Sequence, residues 1–373
     1  MEIYIAGGCS EHGRNCFLIS SRKLSVMVDC GYIKSPNGLI PPELSDEQIS
    51  SVRYLFITHG HVDHGGALGW LYERGFTGKV ICTRKTEEML KTPVKEGVYP
   101  EECSKTGELI QLDEEVSFRW GRTGHCAGSL WYDIHIGRKN IFFSGDYSEK
   151  SAAYKCDCVR GLKADAAVID VAYARESKSA PAHKRELRKR LKKAAANKEV
   201  LLFPVPSNGR GMDLIRYLNE AGIPAYVEKK LLVLFRQQEK NIHYLKKGLN
   251  QILKENKVYN LEEWNGQKGC AGLLVADSQL EKEPNRELAG KVKDLQGHIL
   301  FTGRTRKGTE AERLVGNGEA EFYRISVHQN VKEMKNLVWH NHFKMVIPNH
   351  TEQVLKFHKS IYHILKAGDR IRI

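Results

Sequence analysis

Four side chains able to bind a metal ion, His59, His61, Asp63 and His64, fall within six residues of a 373-residue chain. They follow directly on the apolar, β-branched run from Val52 to Ile57, which reads as a buried strand. A ligand cluster therefore stands where a strand ends. His59 and His61 are two residues apart, so an extended backbone turns both to one side, while Asp63 and His64 sit where the next segment starts a helix. One pair can grip one metal ion and the second pair a neighbouring one. Packing alone gives no reason for these residue types at this spacing.

The elements that must hold the cluster are readable on either side of it. Strands are expected at Ile3 to Ala6, Asn15 to Ser20, Ser25 to Asp29, Lys79 to Cys82, Leu109 to Leu112, Val116 to Gly121, Leu130 to Ile136 and Asn140 to Ser144. From about Glu176 the character changes. Lys184 to Lys193 is strongly basic with Leu187 and Leu191 four apart, the pattern of a surface helix whose charged face either meets solvent or follows a phosphate backbone. A strand from Glu199 to Val205, a glycine loop and a helix from Met212 to Ala221 then suggest a parallel α/β unit. Its further strands are placed at Ile223 to Val227, Gly272 to Ala276 and Gly297 to Phe301, with a lysine-rich helical stretch from Leu231 to Lys257.

With 41% hydrophobic and 28% charged residues, the chain is expected to be soluble and to bury a sizeable core. Met1 to Ala6 reads straight into a strand, and no apolar run approaches about 18 residues, so a cytoplasmic protein without a membrane partner is expected. The nine cysteines are odd in number and scattered, which argues against a disulfide scaffold. Cys156-Asp157-Cys158 is the only close pair and is not favoured as a redox or soft-metal site. A net charge of +13 and a pI near 9.2 favour a polyanionic partner, because basic side chains on phosphates release condensed counterions.

The His-x-His-x-Asp-His pattern resembles the signature of the metallo-β-lactamase fold, a four-layer αββα sandwich. Further motifs match in order: His125 within Thr123 to Ser129, Asp146 within Phe142 to Tyr147, and Asp29, the family's early aspartate that supports the site without binding metal. The second half resembles the β-CASP cassette of nucleic-acid-processing members. Ala164 to Tyr173 with the acidic Asp170, Phe203-Pro204-Val205 with Gly209-Arg210, Phe301 to Thr309, Ser326-Val327-His328 and Val346 to Glu352 carry that likeness. Three departures stand out. Val171 and Ala172 replace hydroxyl residues, Val327 replaces a glycine, which puts the backbone setting of His328 in doubt, and Thr351 follows the last histidine in place of glycine.

The resemblance implies an α/β fold with a metallo-β-lactamase domain over residues 1–178 and 338–373, interrupted by a β-CASP domain over 179–337. It implies one metal on His59, His61 and His125, a second on Asp63, His64 and His350, and Asp146 bridging. Nitrogen and carboxylate ligands without thiolate suit two zinc ions, with manganese or iron as alternatives. Asp63, Asp170 and His328 are the expected catalytic residues, His328 as general acid and Asp170 as its orienting partner. Zinc lowers the pKa of water to about 7, so hydroxide is available for in-line attack on a phosphodiester. The implied activity is a ribonuclease acting on single-stranded RNA and leaving 5′-phosphate and 3′-hydroxyl ends. His350 favours RNA because the DNA-repair branch has an apolar residue there. Single-stranded DNA cleavage, hydrolysis of a small thioester or lactone, and a non-catalytic scaffold are the alternatives, and a homodimer is compatible with all of them. The remaining histidines, His12 in the opening loop, His135, His183, His243, His298, His340, His342, His358 and His363, are expected to lie outside the ligand set. Arg304, Arg306 and Lys307 are candidates for phosphate contact.

Overall fold

In the computed structural model the run that carries the cluster forms the strand Val52–Phe56, near the middle of a seven-stranded sheet. In spatial order that sheet is Arg370–Arg372, Glu2–Gly7, Cys16–Ser20, Ser25–Val28, Val52–Phe56, Lys79–Ile81 and Gly97–Val98. Its first four strands pair antiparallel, and pairing is parallel from Ser25–Val28 onward. A second sheet of six strands runs Val346–Asn349, Ala166–Asp170, Lys139–Phe143, Leu130–Ile136, Val116–Arg122 and Ile110–Gln111. The structure describes every residue except 256, 354 and 358, together with all side chains but that of Glu239. His358 therefore lies outside the described residues.

Alternation explains how the two sheets face each other. In Val116–Arg122 the residues Val116, Phe118 and Trp120 are buried while Ser117 and Arg119 are partly exposed, so one face is apolar. Phe118 and Tyr132 of the second sheet pack edge-on against Phe56 of the first, with ring centroids 5.1 and 5.2 Å apart. Ile3, Ile5, Phe17, Val26 and Ile134 extend this shared core. On the outer side of the first sheet, Leu55 and Val80 meet Ile49, Leu68 and Leu71 from the helices Asp46–Ser50 and Leu68–Glu73. On the outer side of the second, Phe142, Ala167 and Ile169 meet Met334, Leu337 and Val338 of the helix Val331–Trp339. The layers are thus helix, sheet, sheet, helix, the four-layer sandwich expected from the sequence. The return to this core expected at residue 338 falls inside that last helix, whose buried face already belongs to the sandwich. An i, i+3, i+4 apolar stripe reads the same whichever sheet it covers.

Between Asp170 and Val346 the chain builds a third sheet of six parallel strands. Val200–Pro204 lies inside it with all five residues buried, as a strand covered on both faces must be. The helices Ala180–Asn197 and Gly211–Glu220 cover one face through Leu187, Leu191, Leu214 and Leu218, and Glu283–Asp294 with Glu310–Gly316 cover the other through Val292 and Leu314. The strands Val258–Asn260 and Glu321–Phe322 were not foreseen; they are short edge strands. The basic helix is longer than its charged core suggested, and one of its cations, Arg190, is buried in ion pairs with Glu199 and Glu321.

Candidate metal centre

The ligand candidates all hang from strand ends of the two core sheets. His59 follows Val52–Phe56, and His61 caps a one-turn helix, Val62–Gly65, that already contains Asp63 and His64. His125 follows Val116–Arg122 and Asp146 follows Lys139–Phe143. The turn before Asp146 needs Gly145, whose φ of 53° is left-handed and whose Cβ position would lie 3.0 Å from Thr58 Cβ. Asp170 closes Ala166–Asp170 and His350 follows Val346–Asn349. Asp29 and His350 themselves hold left-handed φ values of 58° and 65°, a strained backbone of the kind that gathers where side chains must be aimed.

These strand ends bring the side chains into two clusters joined by one carboxylate. His61 Nδ1 lies 2.9 Å from His59 Nε2 and 3.2 Å from His125 Nε2, and Asp146 Oδ2 lies 3.4 Å and 3.3 Å from the same two nitrogens. The other oxygen, Asp146 Oδ1, lies 3.2 Å from His64 Nε2 and 2.9 Å from His350 Nδ1, and Asp63 Oδ2 lies 3.1 Å from His350 Nε2. Each oxygen of Asp146 therefore serves one cluster. At the rim His328 Nδ1 stands 3.1 Å from Asp170 Oδ2. Every metal ligand and catalytic residue named from the sequence is within this constellation; of the three basic residues named for phosphate contact, Arg304 lines the cavity above it, whereas Arg306 pairs with Glu281 and Lys307 is not among the lining residues.

Groups behind the clusters fix their orientation. Asp29 accepts hydrogen bonds from the Thr58 backbone N–H at 2.7 Å and hydroxyl at 2.9 Å, and His64 Nδ1 lies 2.8 Å from it, which leaves Nε2 turned to Asp146. His125 Nδ1 lies 2.9 Å from the carbonyl oxygen of Val327. Such outer partners set imidazole tautomer and aim. Val327 is not among the residues with positive φ, so this position does not call for the left-handed backbone that glycine allows. Burial drives His125 down to about 3 and His59 well below the usual histidine range, so both rings are neutral and offer lone pairs. Burial also pushes the neighbouring Cys126 thiol up to about 12, and Cys126 is not among the grouped donors. Asp146 is buried, which favours its neutral form, yet the surrounding histidines hold it well below the carboxylate range.

The donor set fits divalent cations. Asp146 Oδ1 and His350 Nδ1 are buried without a hydrogen-bond partner, and such groups cost about 1–3 kcal/mol each when unsatisfied. A cation held by these residues would remove that cost. His59, His61, His125 and Asp146 could hold one ion, and Asp63, His64 and His350 a second with Asp146 shared. Apart from His12, the other described histidines lie outside these clusters. His135 faces Asp133, His183 faces Glu176 and His298 faces Glu321, while His342 lies in the short strand His342–Phe343 instead of a loop.

A family model described as the metallo-beta-lactamase superfamily matches residues 10–204, just over half of the chain. The chain belongs to the metallo-β-lactamase superfamily. It is 22% identical over 290 residues to the transcription termination factor FttA of Methanosarcina mazei, covering 68% of this chain and 46% of that one. It is 23% identical over 382 residues to the endoribonuclease ysh1 of Aspergillus fumigatus, covering 86% and 44%. An RNase J-like protein of Methanocaldococcus jannaschii is 21% identical over 342 residues, covering 83% and 79%. The chain spans less than half the length of the first two. These relatives are of the RNA-processing β-CASP branch, as the sequence motifs implied. A solved structure of a protein of unknown function from Enterococcus faecalis V583 matches with a TM-score of 0.64 over 99% of both chains at 12% identity, a likeness of fold.

Around this metallo-β-lactamase centre stand His12, expected in the opening loop, and several residues that were assigned no role from the sequence. Asn15 Nδ2 lies 3.0 Å from His64 Nε2, and Asn349 donates to Asn15 Oδ1 at 2.8 Å. His12 stacks on His350 with ring centroids 4.5 Å apart. Tyr173 sets its ring edge-on to His328 at 5.0 Å. Arg175, Arg210 and Arg324, with the expected Arg304, line the cavity of about 330 Å³ above the clusters. Asn349 and Arg210 both fall within motifs that carried the family likeness, Val346 to Glu352 and Gly209-Arg210, and that was the available signal for either.

Proposed function

We propose that the protein is a metal-dependent ribonuclease that hydrolyses single-stranded RNA and leaves 5′-phosphate and 3′-hydroxyl ends. The reading assigns the first ion to His59, His61 and His125 and the second to Asp63, His64 and His350, with Asp146 shared. The observation that carries it is the split of Asp146 between two histidine clusters, with the His328–Asp170 pair beside them at the cavity rim. Two bound zinc ions, or manganese, supply Lewis acidity toward phosphate and lower the pKa of water.

The chain's own groups do the rest. Asp170 holds His328 through Nδ1, which leaves Nε2 to give a proton to the departing 3′ oxygen. Val327 and Asp29 fix the aims of His125 and His64. The arginines of the cavity draw in a polyanion, in line with the net charge of +13. Nothing in this scheme uses the ribose 2′-hydroxyl; the preference for RNA is supported by the endoribonuclease and RNase J-like relatives. The reading divides the chain into a nuclease core and an inserted β-CASP domain that begins at about residue 179, with the return to the core at the helix Val331–Trp339 and not at residue 338. Among the described residues no helix is long and apolar enough to cross a membrane, and we take the enzyme to act in the cytoplasm.

The test is cleavage of a 5′-labelled single-stranded RNA beside matched DNA and double-stranded RNA, with zinc or manganese supplied. Single-stranded RNA is expected to be cut fastest, with 3′-hydroxyl ends on the labelled products. Metal-loaded protein that cuts none of the three would overturn the reading.

A further inference from the structure

Four arginines line the cavity over the metal centre, and three of them have acceptors of their own. Arg324 Nε donates to Glu176 at 2.8 Å, Arg304 Nη2 to Glu352 at 2.6 Å, and Arg175 Nε to Gln353. Arg210 differs. Among the described residues no carboxylate lies within 4.0 Å of its guanidinium; burial and the neighbouring Arg324 disfavour its charge, and Tyr173 and Asp213 favour it. An arginine stays protonated in a protein, so this is a partly buried cation lacking a counter-ion, a costly arrangement unless an anion visits.

The surroundings hold that cation in place and leave it facing the cavity. The guanidinium lies against the bare Cα of Gly303, where an added Cβ would stand 1.6 Å from Nη1 and 2.0 Å from Cζ. Only glycine leaves that bed open. Arg210 opens the helix Gly211–Glu220, whose Asp213 accepts hydrogen bonds from the backbone of Ala152 and Ala153 and so ties the helix start to the segment following Asp146. The neighbouring Gly209 approaches the His125 carbonyl oxygen, which would lie 3.9 Å from a Cβ at that position. The loop bearing Arg210 is therefore seated beside a ligand-bearing segment.

The two histidine clusters account for one phosphate, the reacting one. We propose that Arg210, bedded on Gly303, binds the non-bridging oxygens of the neighbouring, non-reacting phosphate, so that the site selects substrates with at least two consecutive phosphodiesters. A planar guanidinium with parallel N–H donors matches that oxygen pair. The inference rests on the nuclease reading above and assigns Arg210 to binding, not to the chemical step.

The test compares Arg210→Met and Arg210→Lys with the unaltered protein on two substrates, a single-stranded RNA and bis(p-nitrophenyl) phosphate, which has one phosphodiester only. Arg210→Met is expected to raise KM for RNA about tenfold or more, with kcat/KM for the small diester changed less than about threefold, and Arg210→Lys to recover part of the loss. Binding of a labelled RNA in chelator, read by anisotropy against salt, should lose about 0.7 of a unit of log–log slope, the value for one phosphate contact on a single strand. Gly303→Ala, which displaces the guanidinium without removing it, should reproduce the RNA-selective loss, and thermal melting reports whether either variant is folded. Equal loss on both substrates, or no loss on RNA in a folded variant, overturns the proposal. If the unaltered protein hydrolyses the small diester but no RNA, the nuclease reading itself has failed and this inference falls with it.

Discussion

His328 Nδ1 and Asp170 Oδ2 lie 3.1 Å apart across 158 residues of chain, joining the segment after the inserted sheet to the end of a core strand. A histidine held in this way presents its second nitrogen to the cavity. Replacing His328 by alanine is expected to slow RNA cleavage about 10²–10⁴-fold without changing metal content. A nitrophenyl diester, whose leaving group needs no proton, should lose far less. Equal losses on both substrates would mean that His328 acts in some other way.

Asp146 gives one oxygen to each cluster, so its replacement should affect both ions. Asp146→Asn is expected to bring purified, dialysed protein from two divalent ions per chain to one or fewer, measured by elemental analysis. Retention of both would remove Asp146 from the bridging role.

Asp29 touches no metal position, yet it accepts from Thr58 and faces His64 Nδ1. Asp29→Asn should weaken the ion at His64 about 10–100-fold while sparing the ion at His59 and His125, as expected when an outer partner of a ligand is lost. Competition with a coloured chelator resolves the two steps. A uniform loss at both would point to misfolding.

Stability should fall in acid for a reason that lies far from the centre. Arg190 donates to Glu199 at 2.7 Å and to Glu321 at 2.8 Å. Burial raises both carboxyls, but Asn197 and Arg190 on Glu199, and Arg190 on Glu321, hold them below the usual range. A carboxyl depressed in the folded state stabilises the fold above its unfolded value of about 4.3, and that contribution is lost as pH falls through the folded value. Arg190→Met is expected to cost about 2 kcal/mol at pH 7 and to flatten the decline between roughly pH 5 and pH 3. Urea titrations at both ends of that range measure it; an equal cost at both would show that packing and not charge is involved.

Much of the core and the ligand set was readable because both rest on local pattern. Val116–Arg122 announces its buried face by alternation, and His59 to His64 announce chemistry by residue type and spacing. What was not readable depends on neighbours distant in sequence. Arg210 and Arg304 look alike in the chain, and only the fold shows that Glu352 neutralises one while no carboxylate neutralises the other. Arg190 reads as one more charge on a basic helix until Glu199 and Glu321 are seen around it. Edge strands as short as Glu321–Phe322 have too few residues to show a period. The helix Val331–Trp339 has a clear apolar stripe, but a stripe does not name the sheet it covers.

The strand Val346–Asn349, which completes the second sheet and sets His350 in place, is made after the whole inserted sheet. During synthesis a ribosome therefore releases His59, His61, Asp63, His64, His125 and Asp146 long before His328 and His350. On the nuclease reading, a nascent chain would lack both the expected general acid and the last ligand of the second ion until the inserted sheet has been made.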